Sequence, residues 1–418
     1  MRLLRAGALD LEATEMALRE GMHQVGSRIL EKLLEVGQPK LDSSQTVDCG
    51  QGHQARWLGW RPKQLVTVLG PIEIRRSYYY CEVCGVGLHP HDRQWDIEGT
   101  GLSPGVRRMM ARLGSKESFE EARLDMGELA GVRVVSKQVE RVSEELGQQV
   151  QGWVAADLAP DPVAKFYIAY DGTGVPVVSR ETEGRKGKDG PAKTREAKLG
   201  CIFTQTGVDA EGRPQRDAES TSYVGAIETS QEFGSRLYAE AERRGSTQAE
   251  AVIVLGDGAP WVWNLADEYF PTAVQIVDLY HARQHLANAA KLIFGSVSGS
   301  QAEWLQARLN ELDDGEVEAV IGALGRARPR DVAQQADLER EVNYFRNNAE
   351  RMRYADFRKR AMFVGSGVVE AGCKTVVGQR LKRSGMHWTV RGANAIMALR
   401  CLILSGRWEA FWESRAAA

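Results

Sequence analysis

The sequence lacks a long apolar run, a cysteine framework and an excess of either charge. No run approaches the ~18 apolar residues that a transmembrane helix requires, so the sequence predicts no membrane partner. The start of the chain carries acidic side chains where a secretion signal needs an apolar stretch, and we therefore do not expect export. Six cysteines among 418 residues are too few and too scattered for a disulfide scaffold, which indicates a reducing cytoplasm. The 54 basic and 56 acidic residues give a net charge of −2, but this sum conceals differences between regions.

What the sequence does contain is the composition of a globular protein, with 43% hydrophobic and 26% charged residues. A length of 418 residues allows two or three domains. Changes in texture predict an N-terminal helical segment (1–40), a strand-containing segment rich in glycine and aromatic residues (41–97), a second helical segment (98–155) and an α/β segment (156–418).

Two cysteine-containing motifs in the second segment predict a structural zinc site. Cys81 and Cys84 are separated by two residues and followed by glycine, which is a spacing typical of zinc knuckles. Upstream, Cys49 and His53 enclose three residues, and two predicted strands, with their turn at Gly70-Pro71, lie between the pairs. Three thiolates and one imidazole would close a tetrahedral site, so the segment is expected to be zinc-ribbon-like.

Alternatives remain for this site and its surroundings. His89 or His91 could replace His53, or Cys81 and Cys84 could be a buried or reactive pair unrelated to Cys49. Residues 54–80 carry a net charge of +4 that includes Arg75 and Arg76, and aromatic residues lie between the charges. This pattern predicts a DNA-facing surface, although aromatic residues between strands are more often part of a core.

Residues 118–147 predict two helices joined through Gly131, which is the texture of a helix-turn-helix. Ser136 is the expected cap of a second helix that runs from Lys137 to Leu146. The alternative is an ordinary helical hairpin, since residues 101–147 carry eight basic and eight acidic side chains. The expected shared apolar face consists of Leu124, Leu129, Val132, Val139 and Val142.

Carboxylates at the edges of predicted elements form the most informative pattern in the last segment. Asp171 ends a strand before Gly-Thr-Gly and a second short strand, and Asp257 lies between two glycines after a buried strand. Glu370 lies in the first turn of a helix that Ser366 can cap, and Asp278 ends another buried strand. Flanking glycine gives a carboxylate access to a cation and a phosphodiester together, which favours two-metal chemistry with Mg²⁺. Each Asp-Gly by itself is also a common turn.

Three groups of motifs together resemble the insertion-sequence transposases of the ISKra family, which are similar to Mutator-like and hAT transposases of the DDE type. They are YDGTGVP, the GDGA–W segment leading to DLYHARQHL, and GSGVVEAG with RLKRSGMHW. The resemblance implies an RNase H-like catalytic core with a triad of Asp171, Asp257 and Glu370 that binds Mg²⁺ or Mn²⁺. Asp278 and His281 resemble a (C/D)xxH signature and are expected to support the site. Asp278 is the main alternative to Asp257 for the second triad position. The glycines that flank Asp257 give it access, and they favour Asp257 over Asp278.

The resemblance also implies a helical insertion within the catalytic fold at about residues 290–362. This fits the charge-rich helical texture of residues 282–362 and the 113 residues that separate Asp257 from Glu370. The zinc motif departs from the family pattern, since relatives tend to have CxxC where this chain has Cys49 and His53. The family pattern therefore does not support Cys49 and His53 as the first ligand pair, nor zinc occupancy of the site.

The C-terminal residues 371–418 carry a net charge of +6. Arg380, Lys382 and Arg383 follow Glu370 within about three helical turns and are expected to contact phosphates near the scissile bond. Trp388 is a candidate for stacking on a displaced base, or alternatively fixes the last helix on the core.

Together the motifs and the resemblance predict a DNA transposase. It would bind the terminal inverted repeats of its transposon as double-stranded DNA, cleave phosphodiester bonds with two divalent metal ions and join 3′ ends to target DNA. Coordinated cleavage of two transposon ends implies a homo-oligomer, either a dimer or a larger assembly. We expect the protein in the bacterial cytoplasm, and on the nucleoid when it is bound to DNA. The alternatives are a catalytically silent transposase-derived regulator and an RNase H-like nuclease without strand transfer.

Overall fold

The structure is a computed structural model that describes residues 4–5, 8–37, 46–154, 162–187, 190–295 and 299–416. The chain divides into two compact units, Met1–Leu146 and Gly147–Ala418. The segment boundaries expected at 40/41 and 155/156 lie outside the described residues. Over the described part of the chain, every helix is too short or too polar to cross a membrane.

The first unit is built around a four-stranded antiparallel sheet of order β3-β4-β5-β6. Its strands, with the pair that precedes them, are β1 (Leu4–Arg5), β2 (Ala8–Leu9), β3 (Thr46–Asp48), β4 (Gln54–Thr67), β5 (Gly70–Cys81) and β6 (Val86–Leu88). The turn between β4 and β5 lies at Val68 and Leu69, because Thr67 pairs with Gly70 across the hairpin. The expected turn at Gly70-Pro71 is therefore wrong by two residues. The Thr67 hydroxyl closes the turn by accepting the Leu69 N–H and donating to the Gly70 carbonyl.

Helices cover this sheet and extend beyond it. They are α1 (Leu11–Val36), α2 (Pro90–Gln94), α3 (Pro104–Gly114), α4 (Phe119–Ala130) and α5 (Ser136–Gly152). Ser118 and Glu121 form a reciprocal capping box at the start of α4, and Gly131 ends α4 at a φ of 67°. Ser136 is the first residue of α5 rather than its cap, and α5 continues six residues beyond Leu146, so both predicted bounds of this helix are corrected.

The apolar face predicted for α4 and α5 is correct only in part. Val132, Val139 and Val142 are buried, whereas Leu124 and Leu129 are 53% and 69% exposed. The interior positions of α4 belong instead to Ala122 and Met126, four residues apart on one face, and Leu124 lies on the opposite face. Leu129 shares the face of Met126 but is exposed near the end of the helix.

The second unit contains a five-stranded mixed sheet of order β13-β10-β7-β14-β15. The pairs β7–β10 and β10–β13 are antiparallel, and β7–β14 and β14–β15 are parallel. Its strands are β7 (Lys165–Pro176), β10 (Thr194–Gln205), β13 (Ser222–Ala226), β14 (Ala251–Gly256) and β15 (Val274–Val277). Two short hairpins, β8 (Lys186–Gly187) with β9 (Gly190–Pro191) and β11 (Gly207–Val208) with β12 (Pro214–Gln215), lie outside this sheet.

Strand β7 runs without interruption through the Asp171-Gly-Thr-Gly motif. Its residues pair with β10 from Lys165 to Pro176, so Asp171 lies within a strand and the expected strand end and second strand are wrong. Glycine allows this continuity, because a Cβ on Gly172 would lie 2.6 Å from the Glu196 carboxylate on β10. On the other side of β7, pairing with β14 stops at Ala169, so this edge is open beside Asp171.

Helices complete the second unit, with short 3₁₀ turns at Ser179–Glu181, Ser246–Gln248, Val332–Gln334 and Ala349–Met352. The helices are α6 (Ser230–Arg243), α7 (Pro260–Tyr269), α8 (Leu279–Phe294), α9 (Gly299–Asp313), α10 (Val317–Arg326), α11 (Gln335–Asn348), α12 (Tyr354–Lys359), α13 (Gly367–Gly372), α14 (Gln379–Leu381), α15 (Val390–Leu404) and α16 (Trp408–Ala416). Helices α8 to α12 follow the last strand, where the sequence predicts helical structure. A π-helical segment, Cys373–Gly378, joins α13 to α14.

Candidate functional site

Strand register brings Asp171 and Asp257 to the same edge of the sheet. Leu255 on β14 pairs in parallel with Ala169 on β7, and each aspartate follows its paired residue by two positions. The C-terminal ends of parallel neighbouring strands lie on the same side of a sheet, so the Asp171 and Asp257 side chains are neighbours there. This adjacency joins residues that are distant in sequence and provides the basis of an acidic site.

The Asp171 carboxylate lies in an electrostatically crowded position. Burial raises the pKa of Asp171 above its ordinary value, and the charges of Asp257 and Glu370 raise it further. The Gly172 N–H, which donates to Asp171 Oδ1 at 2.6 Å, and the nearby His281 act in the opposite direction. A carboxylate crowded by like charges in this way favours a neighbouring cation.

Asp257 lies in a partly exposed turn that helix α11 contacts. Its Oδ1 accepts the Ala259 N–H at 2.9 Å, and its carbonyl oxygen accepts the Tyr344 hydroxyl on α11 at 2.8 Å. Gly258 has a φ of 98°, and a Cβ there would lie 2.5 Å from the Tyr344 ring. The turn therefore requires glycine at 258 both for its backbone conformation and for the close approach of Tyr344.

Helix α13 brings Glu370 to the same edge. The helix contacts β7 and β10, and a Cβ on its Gly372 would lie 3.2 Å from Leu199, the residue that pairs with Asp171. Ligand atoms of Glu370, Asp278 and His281 lie within 4.8 Å of one another. The structure thus brings the three predicted triad residues and both predicted supporting residues into one neighbourhood.

Asp278 is fully buried and serves as a junction between elements. Its Oδ1 accepts the backbone N–H of His281 at 2.8 Å and caps α8, and it lies 3.2 Å from His281 Nδ1. Its Oδ2 accepts the Ser366 N–H at the start of α13, and its own N–H donates to the Gly256 carbonyl at 2.8 Å. The carboxylate therefore connects α8 to the helix that carries Glu370, and the backbone N–H of Asp278 connects both to β14.

Hydrogen bonding keeps Asp278 ionised and His281 charged over a wider pH range. Burial alone would raise the pKa of Asp278, but hydrogen bonds from His281 and Ser366 outweigh it and lower that pKa. The hydrogen bond with Asp278 is the main reason that the pKa of His281 is raised. With both of its oxygens occupied, Asp278 has the environment of a positioning residue.

The basic residues predicted to contact phosphate lie in different surroundings. Lys382 is exposed and donates to the Thr173 hydroxyl on β7 at 2.5 Å, so it lies beside the Asp171 motif. Arg380 is buried with its guanidinium 4.8 Å from the centre of the Trp388 ring, and Trp388 Nε1 donates to the Leu381 carbonyl. The burial of Arg380 departs from its expected position at a DNA-facing surface, whereas the burial of Trp388 agrees with the alternative in which it belongs to the core. Arg383 is half-exposed.

The first unit contains a second candidate site, made of Cys49, His53, Cys81 and Cys84. Their ligand atoms all lie within 4.8 Å of one another, and the group could hold a metal ion such as zinc. Cys49 Sγ and Cys84 Sγ are 3.7 Å apart, and His53 Nδ1 lies 3.1 Å from Cys84 Sγ. Two Zn–S bonds of about 2.3 Å at a tetrahedral angle place their sulfurs roughly 3.8 Å apart, so the donor set fits zinc.

Local backbone structure prepares this cluster. Cys49 donates its N–H to the His53 carbonyl at 2.9 Å, and Gly85 donates to the Cys81 carbonyl at 2.9 Å. The backbone N–H of Gln51 is the main cause that lowers the pKa of Cys49 to about 7, whereas burial is the main cause that raises the pKa of Cys84 to about 12. The thiolate that a metal requires is therefore favoured first at Cys49.

The alternative ligands His89 and His91 have other partners. His89 Nδ1 lies 3.0 Å from the Ser77 carbonyl oxygen, and His91 Nδ1 lies 3.2 Å from Gln94 Oε1. The predicted cations nearby also differ, since Arg75 is exposed whereas Arg76 forms an ion pair with the buried Asp92. The structure therefore groups His53 with the cysteines and leaves Arg75 as the more accessible of the two arginines.

Sequence reasoning missed Tyr344, which contacts the Asp257 turn from α11. His285 stacks on its ring at 3.6 Å, and Glu341 Oε2 lies 2.6 Å from His285 Nδ1. A tyrosine within a charged helical segment carries no local signal for this contact, because 87 residues separate it from Asp257. The contact becomes visible only in the packing of α11 against the turn at Asp257 and Gly258.

Part of this chain is similar in sequence to a protein family without a characterised function. Residues 220–415 match UPF0236, an uncharacterised protein family. A UPF0236 protein of Caldanaerobacter subterraneus subsp. tengcongensis is 22% identical over 416 residues, covering 97% of this chain and 80% of the relative. Among solved structures, the Drosophila P element transposase strand transfer complex is similar with a TM-score of 0.38 and 8% identity, covering 75% of this chain and 94% of that one. The family has no assigned activity and the structural likeness is weak, so the activity has to be argued from the residues of this chain.

Proposed function

We propose that this chain is a DNA transposase of the DDE type, related to the ISKra insertion-sequence enzymes. The observation that carries the proposal is the meeting of Asp171, Asp257 and Glu370 at one sheet edge, from two parallel strands and a helix. Two-metal hydrolysis and transesterification of phosphodiesters use carboxylates of this kind to hold the metal ions. The motifs around all three residues are also those of the transposase resemblance.

The sheet topology supports an RNase H-like reading of the catalytic core. Numbered by their order along the chain, its strands lie in the order 3-2-1-4-5, and the second strand runs antiparallel to both of its neighbours. RNase H-like folds share this arrangement. The end of α8 and helices α9 to α12 then form the helical insertion at about residues 290–362, and Tyr344 gives the insertion a direct contact with the Asp257 turn.

We call the group of Asp171, Asp257 and Glu370 the acidic edge. It fits hard divalent cations such as Mg²⁺ or Mn²⁺, because carboxylate oxygens are their preferred ligands. Asp171, Asp257 and Glu370 would hold them. Bound there, such ions supply an activated water or 3′-hydroxyl and stabilise the departing oxygen. Asp278 holds His281 and the start of α13, and Lys382 beside Thr173 offers a cation to the phosphate backbone.

The first unit is the proposed DNA-recognition part. A metal at Cys49, His53, Cys81 and Cys84 would join the start of β4 to the end of β5 at the base of the hairpin, on which Arg75 is exposed. The helix pair α4–α5 has helix-turn-helix connectivity through Gly131. Both elements are proposed to contact the terminal repeats.

The central test is cleavage and joining by the purified protein. The substrate is the DNA that flanks the coding region in its native replicon, provided that it contains inverted repeats, incubated with Mg²⁺ or Mn²⁺. We expect Asp171→Asn, Asp257→Asn and Glu370→Gln each to abolish cleavage while end binding is retained. The matched control is Glu268→Gln on α7, an exposed carboxylate away from the edge, which should cleave normally.

The outcomes separate the competing functions. Binding without cleavage by the wild-type protein would favour a silent transposase-derived regulator, and cleavage without a joined product would favour a nuclease without strand transfer. Retained activity in Asp257→Asn together with loss in Asp278→Asn would replace Asp257 by Asp278 in the triad.

Zinc is tested separately from the chemistry. We expect about one zinc per chain in protein purified without chelators, and we expect chelation to weaken end recognition more than cleavage of non-specific DNA. Readdition of zinc after chelation is the control for irreversible damage. Metal analysis without zinc would contradict the ribbon assignment and would leave the acidic edge unaffected.

A further inference from the structure

Helix α1 exposes a continuous heptad seam. Positions separated alternately by four and three residues along this 26-residue helix are all exposed. We name these eight positions the α1 seam; they are Leu11, Glu15, Leu18, Met22, Val25, Ile29, Lys32 and Val36. The six apolar members are between 54% and 82% exposed. An uninterrupted alternation of four and three over the whole helix is the pattern by which one helix packs against another.

The opposite side of α1 is fixed against its own unit, so the direction of the seam is defined. Leu30 and Leu34 pack against the apolar cluster beneath the β4–β5 hairpin. Glu31 Oε1 accepts the Glu73 N–H of β5 at 2.9 Å. Arg19 donates to the carbonyls of Glu128 and Leu129 at the end of α4. These contacts hold the helix in place and involve none of the apolar seam residues. Of the two charged seam residues, Lys32 donates to Glu35 one turn further along the same helix at 2.6 Å, and both side chains are exposed.

We propose that the α1 seam is the dimer interface of this protein, occupied by α1 of a second copy in antiparallel orientation. The occupant has to cover six apolar positions and offer opposite charges to Glu15 and Lys32, and α1 of a second copy meets both requirements. Full antiparallel overlap places Leu18 opposite Ile29 and Met22 opposite Val25, and the ends of the helix pair Leu11 with Val36. Every apolar seam residue then faces an apolar residue of the other copy.

The two charged seam residues determine the orientation. Glu15 and Lys32 lie at equal distances from the two ends of α1, so antiparallel overlap places Glu15 of each copy opposite Lys32 of the other. A parallel dimer would instead place glutamate against glutamate and lysine against lysine. Like charges at facing seam positions oppose pairing, and opposite charges favour it, so the antiparallel arrangement is selected.

The apolar area is sufficient for a dimer. Removing six such half-exposed or more exposed side chains from water on each of two copies buries on the order of 1,200 Å² in total, which reaches the range of stable interfaces. An open groove beside the seam, bordered by Ile29, by Val66 on β4 and by Leu124 on α4, adds further apolar surface for the partner helix. An apolar stripe of this extent is unusual on a surface that faces water alone.

The test is the mass of the full-length protein in solution, measured by sedimentation equilibrium over a range of concentrations. We expect twice the chain mass of 46.2 kDa for the wild type. Val25→Glu, which places a charge at the centre of the seam in both copies, should raise the dissociation constant by on the order of a hundredfold or more. Gln24→Glu is the matched control, because it adds the same charge to an exposed position next to the seam and should leave the dimer intact.

A charge exchange tests the orientation independently of stability. Glu15→Lys alone should weaken the dimer, since lysine then faces Lys32, and the double variant Glu15→Lys with Lys32→Glu should restore it. Unchanged far-ultraviolet circular dichroism in each variant excludes unfolding as the cause. A monomeric wild type, a dimer indifferent to Val25→Glu, or a double variant no tighter than Glu15→Lys would overturn the proposal. None of these outcomes bears on the carboxylates of the second unit.

Discussion

The environment of Asp278 predicts that its substitution lowers stability more than substitution of its rival Asp257. Asp278→Asn retains one carbonyl oxygen, which can still accept the His281 N–H and cap α8, since asparagine is about as good a cap as aspartate. The other position becomes an NH₂ group, which cannot accept the Ser366 N–H. A buried donor is then left without its charged acceptor.

The size of the effect follows from that lost hydrogen bond. Hydrogen bonds to charged groups contribute about 1.5–3 kcal/mol, so we expect the free energy of unfolding of Asp278→Asn to fall by about 2 kcal/mol. Asp257→Asn is the matched comparison, because its half-exposed side chain accepts only the Ala259 N–H among the described contacts and retains an oxygen for it. A change below about 0.5 kcal/mol is expected there.

The assay is urea unfolding of the full chain followed by circular dichroism, with both variants measured without divalent ions. A second measurement compares binding of Mn²⁺. If Asp278→Asn unfolds at the wild-type urea concentration and loses Mn²⁺ binding while Asp257→Asn retains it, Asp278 is a ligand rather than a positioning residue. The reasoning from its saturated oxygens would then be refuted.

Three further substitutions test other parts of the structure by thermal unfolding. Burial raises the pKa of Glu240, but the hydrogen bonds and charges of Arg407 and Arg243 together outweigh it and lower that pKa. These ion pairs therefore stabilise the fold above the ordinary glutamate pKa of about 4.3, and the effect is lost as pH falls through the lowered value. Glu240→Gln should therefore lower Tm at pH 7, and the difference from wild type should shrink in acid. Gly258→Ala should destabilise by about 1–3 kcal/mol, because it strains the backbone and meets the Tyr344 ring. Gly127→Ala should raise stability by about 0.5–1 kcal/mol, since this helical position is open; a lower Tm would contradict that reading.

The parts of the structure that were predictable are those set by local sequence. Cys49, His53, Cys81 and Cys84 come together because each pair lies in a tight turn at the base of one hairpin, and both the spacing and the hairpin can be read from the sequence. The buried strands β14 and β15 were similarly recognisable as short apolar runs.

The parts that were not predictable depend on contacts between distant segments. The glycines after Asp171 predict a strand end, whereas β7 continues because Glu196 and Thr194 on β10 fill the space above them. The sequence does not predict β13, because this short edge strand lacks a clear alternating pattern. The residue type of Leu124 predicts an interior position, although helical phase places it on the outside.

The separation in sequence between the members of the acidic edge has a consequence for synthesis. At about 5–20 residues per second, a ribosome needs roughly 10–40 s to pass from Asp171 to Glu370. The whole of the first unit, Met1–Leu146, with its cysteine–histidine cluster, has been made before that interval begins. On the proposed function, a nascent chain can recognise DNA before it can cleave it, and a chain terminated before Glu370 would occupy transposon ends without acting on them.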